Sequence, residues 1–240
     1  MKQRLDSAMT ALGLVKTRSE ASSWIGLGKV RVNGKSITKS GHMVQQDDQI
    51  SLQAPERYVS RAGLKLASVA GSFKIDFMNK VILDVGSSTG GFTDYALQHD
   101  AHKVVAVDVG TDQMHPSLRT DPRVELHEKT DIRQFTPTQN IDIVVIDVSF
   151  ISIRQILPHI AKISTPKTMI VAMVKPQFEA SRAQLTKTGI VKNDRIRRDI
   201  LQDFEVWAKS SFRLVDKADS QVAGTHGNRE RFYLIKKLEQ

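Results

Sequence analysis

The stretch Val81-Ile82-Leu83-Asp84-Val85-Gly86-Ser87-Ser88-Thr89-Gly90-Gly91-Phe92 decides the fold. A short apolar run broken only by Asp84 suits a strand buried on both faces of a parallel sheet. The glycines that follow make a strand-to-helix turn in which a ligand can approach the backbone closely. A helix over Phe92–Gln98 then carries the chain back. The spacing is not G-x-G-x-x-G and no Gly-Lys-Ser/Thr follows, so a dinucleotide fingerprint and a phosphate-binding P-loop both fit poorly.

Similar runs recur at Val104–Asp108, Ile143–Asp147 and Met169–Met173, with helical stretches at Ser152–Ile163 and Asp194–Lys209. This alternation predicts a doubly wound α/β sheet, to which Phe232–Ile235 adds a last strand. Asp108 ends the second strand, 22 residues after Gly86, where a carboxylate can accept hydrogen bonds from ribose hydroxyls. Asp131, after the Val124–Leu126 run, is placed to reach an adenine. A nucleoside without phosphate, as S-adenosylmethionine is, suits this set. Its expected contacts are Gly86, Ser88, Thr89, Gly90, Gly91, Phe92, Asp108 and Asp131. The alternative is that the two aspartates only cap strand-end loops.

Residues 1–54 differ in kind. They carry 8 Lys and Arg against 4 Asp and Glu, in a chain with 35 basic and 26 acidic residues and a net charge of +9. Leu5, Met9 and Leu12 recur at helical spacing. Thr17-Arg18-Ser19-Glu20 has the form of a capping box opening a second helix through Trp24 and Ile25, which Gly28 stops. Lys29-Val30-Arg31-Val32-Asn33-Gly34-Lys35 alternates polar and apolar up to an Asn-Gly turn, a strong hairpin signal. Gln49–Leu52 reads as a closing strand, and Pro55 and Glu56 mark a boundary. The expected division is a small basic α+β domain at 1–54, a linker at 55–59 and an α/β domain at 60–240.

The chain has 240 residues, 40% apolar and 25% charged, as a folded globular protein has. The lack of any cysteine excludes disulfide scaffolds, Cys-based zinc sites and thiol catalysis, and no metal site is expected. No apolar run approaches the roughly 18 residues of a membrane helix, and the N-terminus lacks the apolar core of a secretory signal. A cytoplasmic protein with a polyanionic partner, nucleic acid first, is the expectation.

Five ordered motifs resemble the TlyA family, haemolysin-labelled proteins similar to FtsJ-type ribose 2′-O-methyltransferases. They are Val59–Leu66, Asp84–Phe92, Asp147-Val148-Ser149-Phe150-Ile151-Ser152, Val174–Glu179 and Gly227-Asn228-Arg229-Glu230. Tyr58 stands where some relatives are expected to carry Trp. The resemblance implies a Rossmann-like methyltransferase sheet, S-adenosylmethionine as donor, and an N-terminal S-four-type RNA-binding domain. It also implies ribosomal RNA or ribosomal subunits as substrate, with cytidine the modified nucleotide. It carries over a Lys-Asp-Lys-Glu set onto Lys65, Asp147, Lys175 and Glu230.

Chemistry makes sense of that set. A ribose 2′-hydroxyl must lose its proton as it attacks a sulfonium methyl carbon. A free lysine titrates near about 10.4 and stays charged at pH 7, but burial and a second ammonium both favour the neutral amine. Lys175 is the expected base, with Lys65 holding the ribose, Asp147 orienting Lys175, and Glu230 positioning the second lysine. Read singly, Lys65 and Glu230 could equally be a surface ion pair.

Arg4, Lys16, Arg18, Lys29, Arg31, Lys35 and Arg61 are the expected RNA contacts, with Lys29, Arg31 and Lys35 sharing one hairpin face. Arg195, Arg197 and Arg198 form a second basic run that either extends this track or faces solvent. Rival functions are a membrane-lytic protein, a methyltransferase for small molecules or proteins, and a non-catalytic ribosome-binding factor. A monomer in solution is expected, since RNA supplies the large partner surface.

Overall fold

The computed structural model describes residues 2–15, 17–26, 28–52, 58–222 and 227–238. Lys16, the boundary pair Pro55–Glu56 and the capping-box side chains of Ser19 and Glu20 lie outside what it describes. The chain divides into two compact units, Met1–Arg57 and Tyr58–Gln240.

In the first unit, β1 (Gln3–Arg4) leads into α1 (Leu5–Ala11), which packs against α2 (Arg18–Gly26). Strands β2 (Val30–Val32), β3 (Lys35–Ile37), β4 (Met43–Val44) and β5 (Ile50–Leu52) follow. They form an antiparallel sheet in the order β3-β2-β5 and a separate β1–β4 ladder. Asn33 and Gly34, at φ 50° and 78°, make the hairpin turn, whose two left-handed residues match the right-handed strand twist. Leu5 and Met9 are buried, but Leu12 is 60% exposed because α1 stops one residue short of it.

The second unit is a seven-stranded sheet between two helical layers. Its elements are α3 (Arg61–Ala70), β6 (Val81–Val85), α4 (Gly91–Gln98), β7 (Lys103–Val107), α5 (Pro116–Arg119), β8 (Val124–His127), β9 (Ile143–Ile146), α6 (Leu157–Ile163), β10 (Met169–Val174), α7 (Pro176–Glu179), α8 (Asp194–Ala208), β11 (Phe212–Asp219) and β12 (Arg231–Lys237). The strand order is β11-β12-β10-β9-β6-β7-β8. The five strands β6–β10 are parallel; β12 runs antiparallel to both β10 and β11.

Alternate residues feed opposite cores. Ile82, Val104, Val145 and Met173 meet α3 and α4 residues such as Leu66 and Phe92. Leu83, Val105, Val144 and Ala172 meet Leu157, Ile160, Leu201 and Phe204 of α6 and α8. The sheet is mixed rather than wholly parallel because the expected last strand, β12, returns antiparallel from an unexpected edge strand, β11. The bulge between Leu214 and Asp216 breaks the period-2 pattern of β11 that would have signalled it. The expected helix over Ser152–Ile163 is a 3-10 turn at Ile153–Gln155 followed by α6. Pro158, in the first turn of α6, has no amide hydrogen to continue a helix from the preceding turn, so α6 starts beside it.

Candidate active site

The chain runs outward from β6 through β7 to β8, then returns to the other side of β6 with β9 and β10. The carboxyl ends of β6 and β9 thus form the switch point at which open α/β sheets hold ligands. A Cβ on Gly86 would stand 2.6 Å from the Asp147 carbonyl oxygen. Glycine, at φ 80°, lets the two strand ends approach this closely.

Sheet register gathers three of the four expected catalytic residues, and α3 brings the fourth. Asp147 follows β9 and Lys175 follows β10. Glu230 precedes β12, whose Arg231 pairs with Val174, so Lys175 and Glu230 leave adjacent antiparallel strands at the same edge. Lys65 enters from α3 and donates to Glu230 Oε2 at 2.5 Å; both groups are buried. Lys175 donates to Ser149 Oγ at 2.7 Å, and its Nζ lies 2.6 Å from Asp147 Oδ1, off the hydrogen-bond axis. A buried ammonium–carboxylate pair, Lys65–Glu230, and a partly buried one, Lys175–Asp147, therefore occupy one edge of the sheet. A buried ion pair costs desolvation that its own attraction only roughly offsets, so stability alone does not account for one such pair beside a second, partly buried one at a ligand-binding edge.

Beside them opens a cleft of about 510 Å³ lined by Gly86, Ser88, Asp108, Gln113, Asp131, Asp147 and Phe150 among others. Asp108 is fixed there by the Ser88 and Gly110 backbone amides, which donate to its two oxygens at 2.8 and 2.7 Å. Asp131 also lines the cleft, but its carboxylate is taken up by the Arg133 backbone amide and guanidinium. An adjoining pocket of about 150 Å³ is lined by Asp84, Gly86, Ser88, Thr89, Phe92, Asp147 and Lys175.

Asp84 was not among the expected contacts. Its Oδ2 accepts from Thr93 Oγ1 at 2.6 Å, while Oδ1 is buried with no hydrogen-bond partner. Burial pushes the Asp84 carboxyl up to about 7, and the Asp147 charge adds to the rise. The signal was legible: an acidic residue inside an apolar strand, two places before the glycine turn. Gly90 and Gly91 line neither cavity. A Cβ on Gly91 would meet Ala62 Cβ and the Gly63 amide nitrogen at 2.8 Å. Gly91 thus serves the close crossing of α3 and α4 that brings Lys65 inward.

Phe150 was likewise missed as a functional residue. It is 92% exposed and holds a left-handed φ of 65°. Its ring lies 5.3 Å from that of Phe178 at the mouth of the cleft. Glu179 fixes the loop that follows, accepting from Ser152 Oγ at 2.6 Å and from the Ile153 amide at 2.8 Å. An exposed phenyl held against backbone preference indicates a surface built for contact.

Arg61 is partly buried, and burial lowers its guanidinium from the ordinary value while the Glu230 charge opposes the shift. In the first unit, Arg4 and Arg18 converge on buried Asp6, at 2.8 and 3.2 Å. Lys29 and Arg31 are exposed on one face of the hairpin. Lys35 pairs with Val32 rather than Arg31 and so lies on the other face of the ladder, because a one-residue step reverses side-chain direction. Of the second basic run, Arg195 and Arg198 are exposed but Arg197 is buried. Among the described residues no His, Asp or Glu cluster could hold a metal ion, and no helix is long and apolar enough to cross a membrane.

Residues 58–237 match the FtsJ-like methyltransferase model and residues 3–50 the S4 domain model. The chain is 34% identical to the 16S/23S rRNA (cytidine-2′-O)-methyltransferase TlyA of Mycobacterium tuberculosis, covering 98% of this chain and 90% of that protein. It is 39% identical to the 23S rRNA (cytidine-2′-O)-methyltransferase TlyA of Campylobacter jejuni, over 74% of this chain and 70% of that one. A solved structure named as a haemolysin of Streptococcus thermophilus superposes with a TM-score of 0.78 at 37% identity, covering all of this chain and 90% of that one.

Proposed function

The chain belongs to the FtsJ-like methyltransferase family, among its TlyA-type members, and on that premise we propose that it methylates a ribose 2′-hydroxyl of ribosomal RNA, with cytidine as the nucleotide. The observation that carries this reading is the two ion pairs, buried Lys65–Glu230 and partly buried Lys175–Asp147, at one edge of the sheet beside a nucleoside-sized cleft.

The residues of the cleft fit S-adenosylmethionine. The orphaned Asp84 Oδ1 offers a buried acceptor for an ammonium group. Asp108 keeps lone pairs free beyond its two backbone donors and offers them to ribose hydroxyls. Gly86 leaves the backbone open to close approach. Asp131 contributes through its position in the cleft wall, its carboxylate being held by Arg133. When bound, the cofactor supplies an electrophilic methyl carbon on a sulfonium centre.

Lys175 Nζ, having first released its own extra proton to solvent, would take as a neutral amine the proton that the 2′-hydroxyl loses on attacking the methyl carbon. Asp147 steadies the ammonium so formed, and Ser149 fixes its direction. Lys65, held by Glu230, presents an ammonium to the ribose. Alignment of nucleophile, methyl and leaving sulfur by such fixed groups is worth about 7–11 kcal/mol of barrier in well-oriented reactions. The exposed Phe150 ring offers a face on which a base unstacked from the RNA can rest. Arg61, beside the same site, reaches a phosphate of the strand. The basic residues of the first unit supply phosphate contacts that give affinity with little sequence choice.

The test is single-turnover transfer of labelled methyl to ribosomal RNA. Lys175→Ala is expected to lower the rate by about 100-fold or more, a usual scale for loss of a general base, with cofactor affinity unchanged. Wild-type rates from that variant would remove Lys175 as the base.

A further inference from the structure

Arg197 faces inward from α8 while its neighbours Arg195 and Arg198 face solvent. Taking a guanidinium out of water costs several kcal/mol, and an apolar side chain would pack as well at such a position. What its donors reach explains its presence. Arg197 Nε donates to the carbonyl of Arg229 at 2.9 Å, and Nη2 donates to Asp219 Oδ1 at 2.7 Å. The same Asp219 oxygen accepts from Arg231 Nε at 2.6 Å. Arg229 and Arg231 flank Glu230 on either side.

The intervening carbonyl is held as well, since the Ser220 amide donates to Glu230 O at 2.9 Å. Buried Asn228 ties the same segment to a second loop. Its Oδ1 accepts from the Val191 amide and its Nδ2 donates to Gly189 O, each at 3.2 Å. The Glu230 peptide is thus fixed on both flanks by groups outside the reacting set. Its side chain alone is left to hold Lys65.

We propose that Arg197 is a positioning residue for methyl transfer: by holding the Arg229 carbonyl on one side of Glu230 and sharing Asp219 with the Arg231 side chain on the other, it sets the carboxylate that orients the Lys65 ammonium. The inference rests on the reading that Lys65 and Glu230 serve the reaction. Misplacing a catalytic group by about 1 Å can cost on the order of 100-fold in rate, whereas cofactor and RNA are bound by other residues. Loss of Arg197 is therefore read in kcat and not in KM.

The experiment compares wild type, Arg197→Met, Arg197→Lys and Glu230→Gln in steady-state methyl transfer to ribosomal RNA. Arg197→Met keeps the volume of the stem and leaves Asp219 its partner Arg231. It is expected to lower kcat by about 10–100-fold with KM for cofactor and RNA within about 2-fold of wild type. Arg197→Lys, which can still reach one acceptor, is expected to recover part of the loss, and it decides the question if the Met variant does not fold. Wild-type kcat in the Arg197 variants beside an inactive Glu230→Gln overturns the inference and leaves the site reading standing. Equal damage to kcat and to both KM values marks a general structural role and overturns the inference too. Wild-type kcat in Glu230→Gln overturns both.

Discussion

Asp84 ties the chemistry of the cleft to pH. Its folded-state carboxyl is raised from 3.8 to about 7 by burial, so the folded protein binds this proton more tightly than the unfolded chain does. Its stability contribution is full below about pH 4 and is lost as pH rises toward 7. A shift of that size is worth up to about 4 kcal/mol. Asp84→Asn is therefore expected to raise the melting temperature at pH 8 and leave it little changed at pH 4, as thermal unfolding at the two values will show.

The ionised carboxylate is also the form that attracts an ammonium. Cofactor affinity in the wild type is accordingly expected to tighten as pH rises through about 7. In Asp84→Asn this dependence flattens and affinity at pH 8 falls by about 10-fold, the scale of one charge-assisted hydrogen bond. Titration calorimetry with S-adenosylmethionine at pH 6 and pH 8 checks both. The acidic interruption in Val81–Val85 was visible in the sequence, but the missing partner of Oδ1 was not. That depends on Thr93 occupying only the other oxygen, a matter of rotamer and helix placement.

At the level of elements, the crossing of α3 over α4 decides where Lys65 stands. A Cβ at Gly91 would come within 2.8 Å of Ala62 Cβ and of the Gly63 nitrogen, both within one turn of Lys65 on α3. Gly91→Ala is expected to destabilise the protein by about 1–3 kcal/mol, the usual cost of overpacking, and to lower methyl transfer further than that loss of stability explains. Denaturant unfolding and turnover measured on the same preparation separate the two effects. Sequence placed Gly91 at the start of a helix and among the expected cofactor contacts, while the structure gives it a packing role at the α3–α4 crossing. A glycine in a ligand turn and a glycine at a helix crossing have the same signature until the neighbouring helix is known.

The parallel strands were legible because burial on both faces leaves continuous apolar runs. The edge strand β11 was not, since its exposed face and its bulge at Leu214–Asp216 dissolve the pattern. In the first unit, Asp6 lies well below the usual carboxylate range, at about 2, chiefly through the Arg4 hydrogen bond. Its contribution is full above about pH 4 and lost as pH falls toward 2. Asp6→Asn is expected to remove that acid sensitivity of the first unit, as monitored by Trp24 fluorescence.

At the scale of the whole molecule, two compact units join a basic surface to a methyl-transfer site in one chain. Exposed Lys29 and Arg31 share a face, and replacing both with Ala is expected to lower the salt dependence of RNA binding. The slope of log affinity against log salt should fall by about 1–2, near one unit for each phosphate no longer neutralised. An unchanged slope takes the hairpin face out of the interface.

Convergence of Lys65, Asp147, Lys175 and Glu230, spread over more than half of the chain, was not legible from spacing. It follows from the β9–β10 and β10–β12 registers and from where α3 brings Lys65, none of which a local pattern encodes. The central claim is tested most directly by transfer of labelled methyl from S-adenosylmethionine to ribosomal particles prepared from cells lacking this gene. Digestion to nucleosides then locates the label. The account predicts label on the ribose 2′-oxygen of cytidine with the wild-type protein and none above background with Lys175→Ala. Label on a base, or no transfer to either subunit or to naked ribosomal RNA by protein that binds the cofactor, would contradict it.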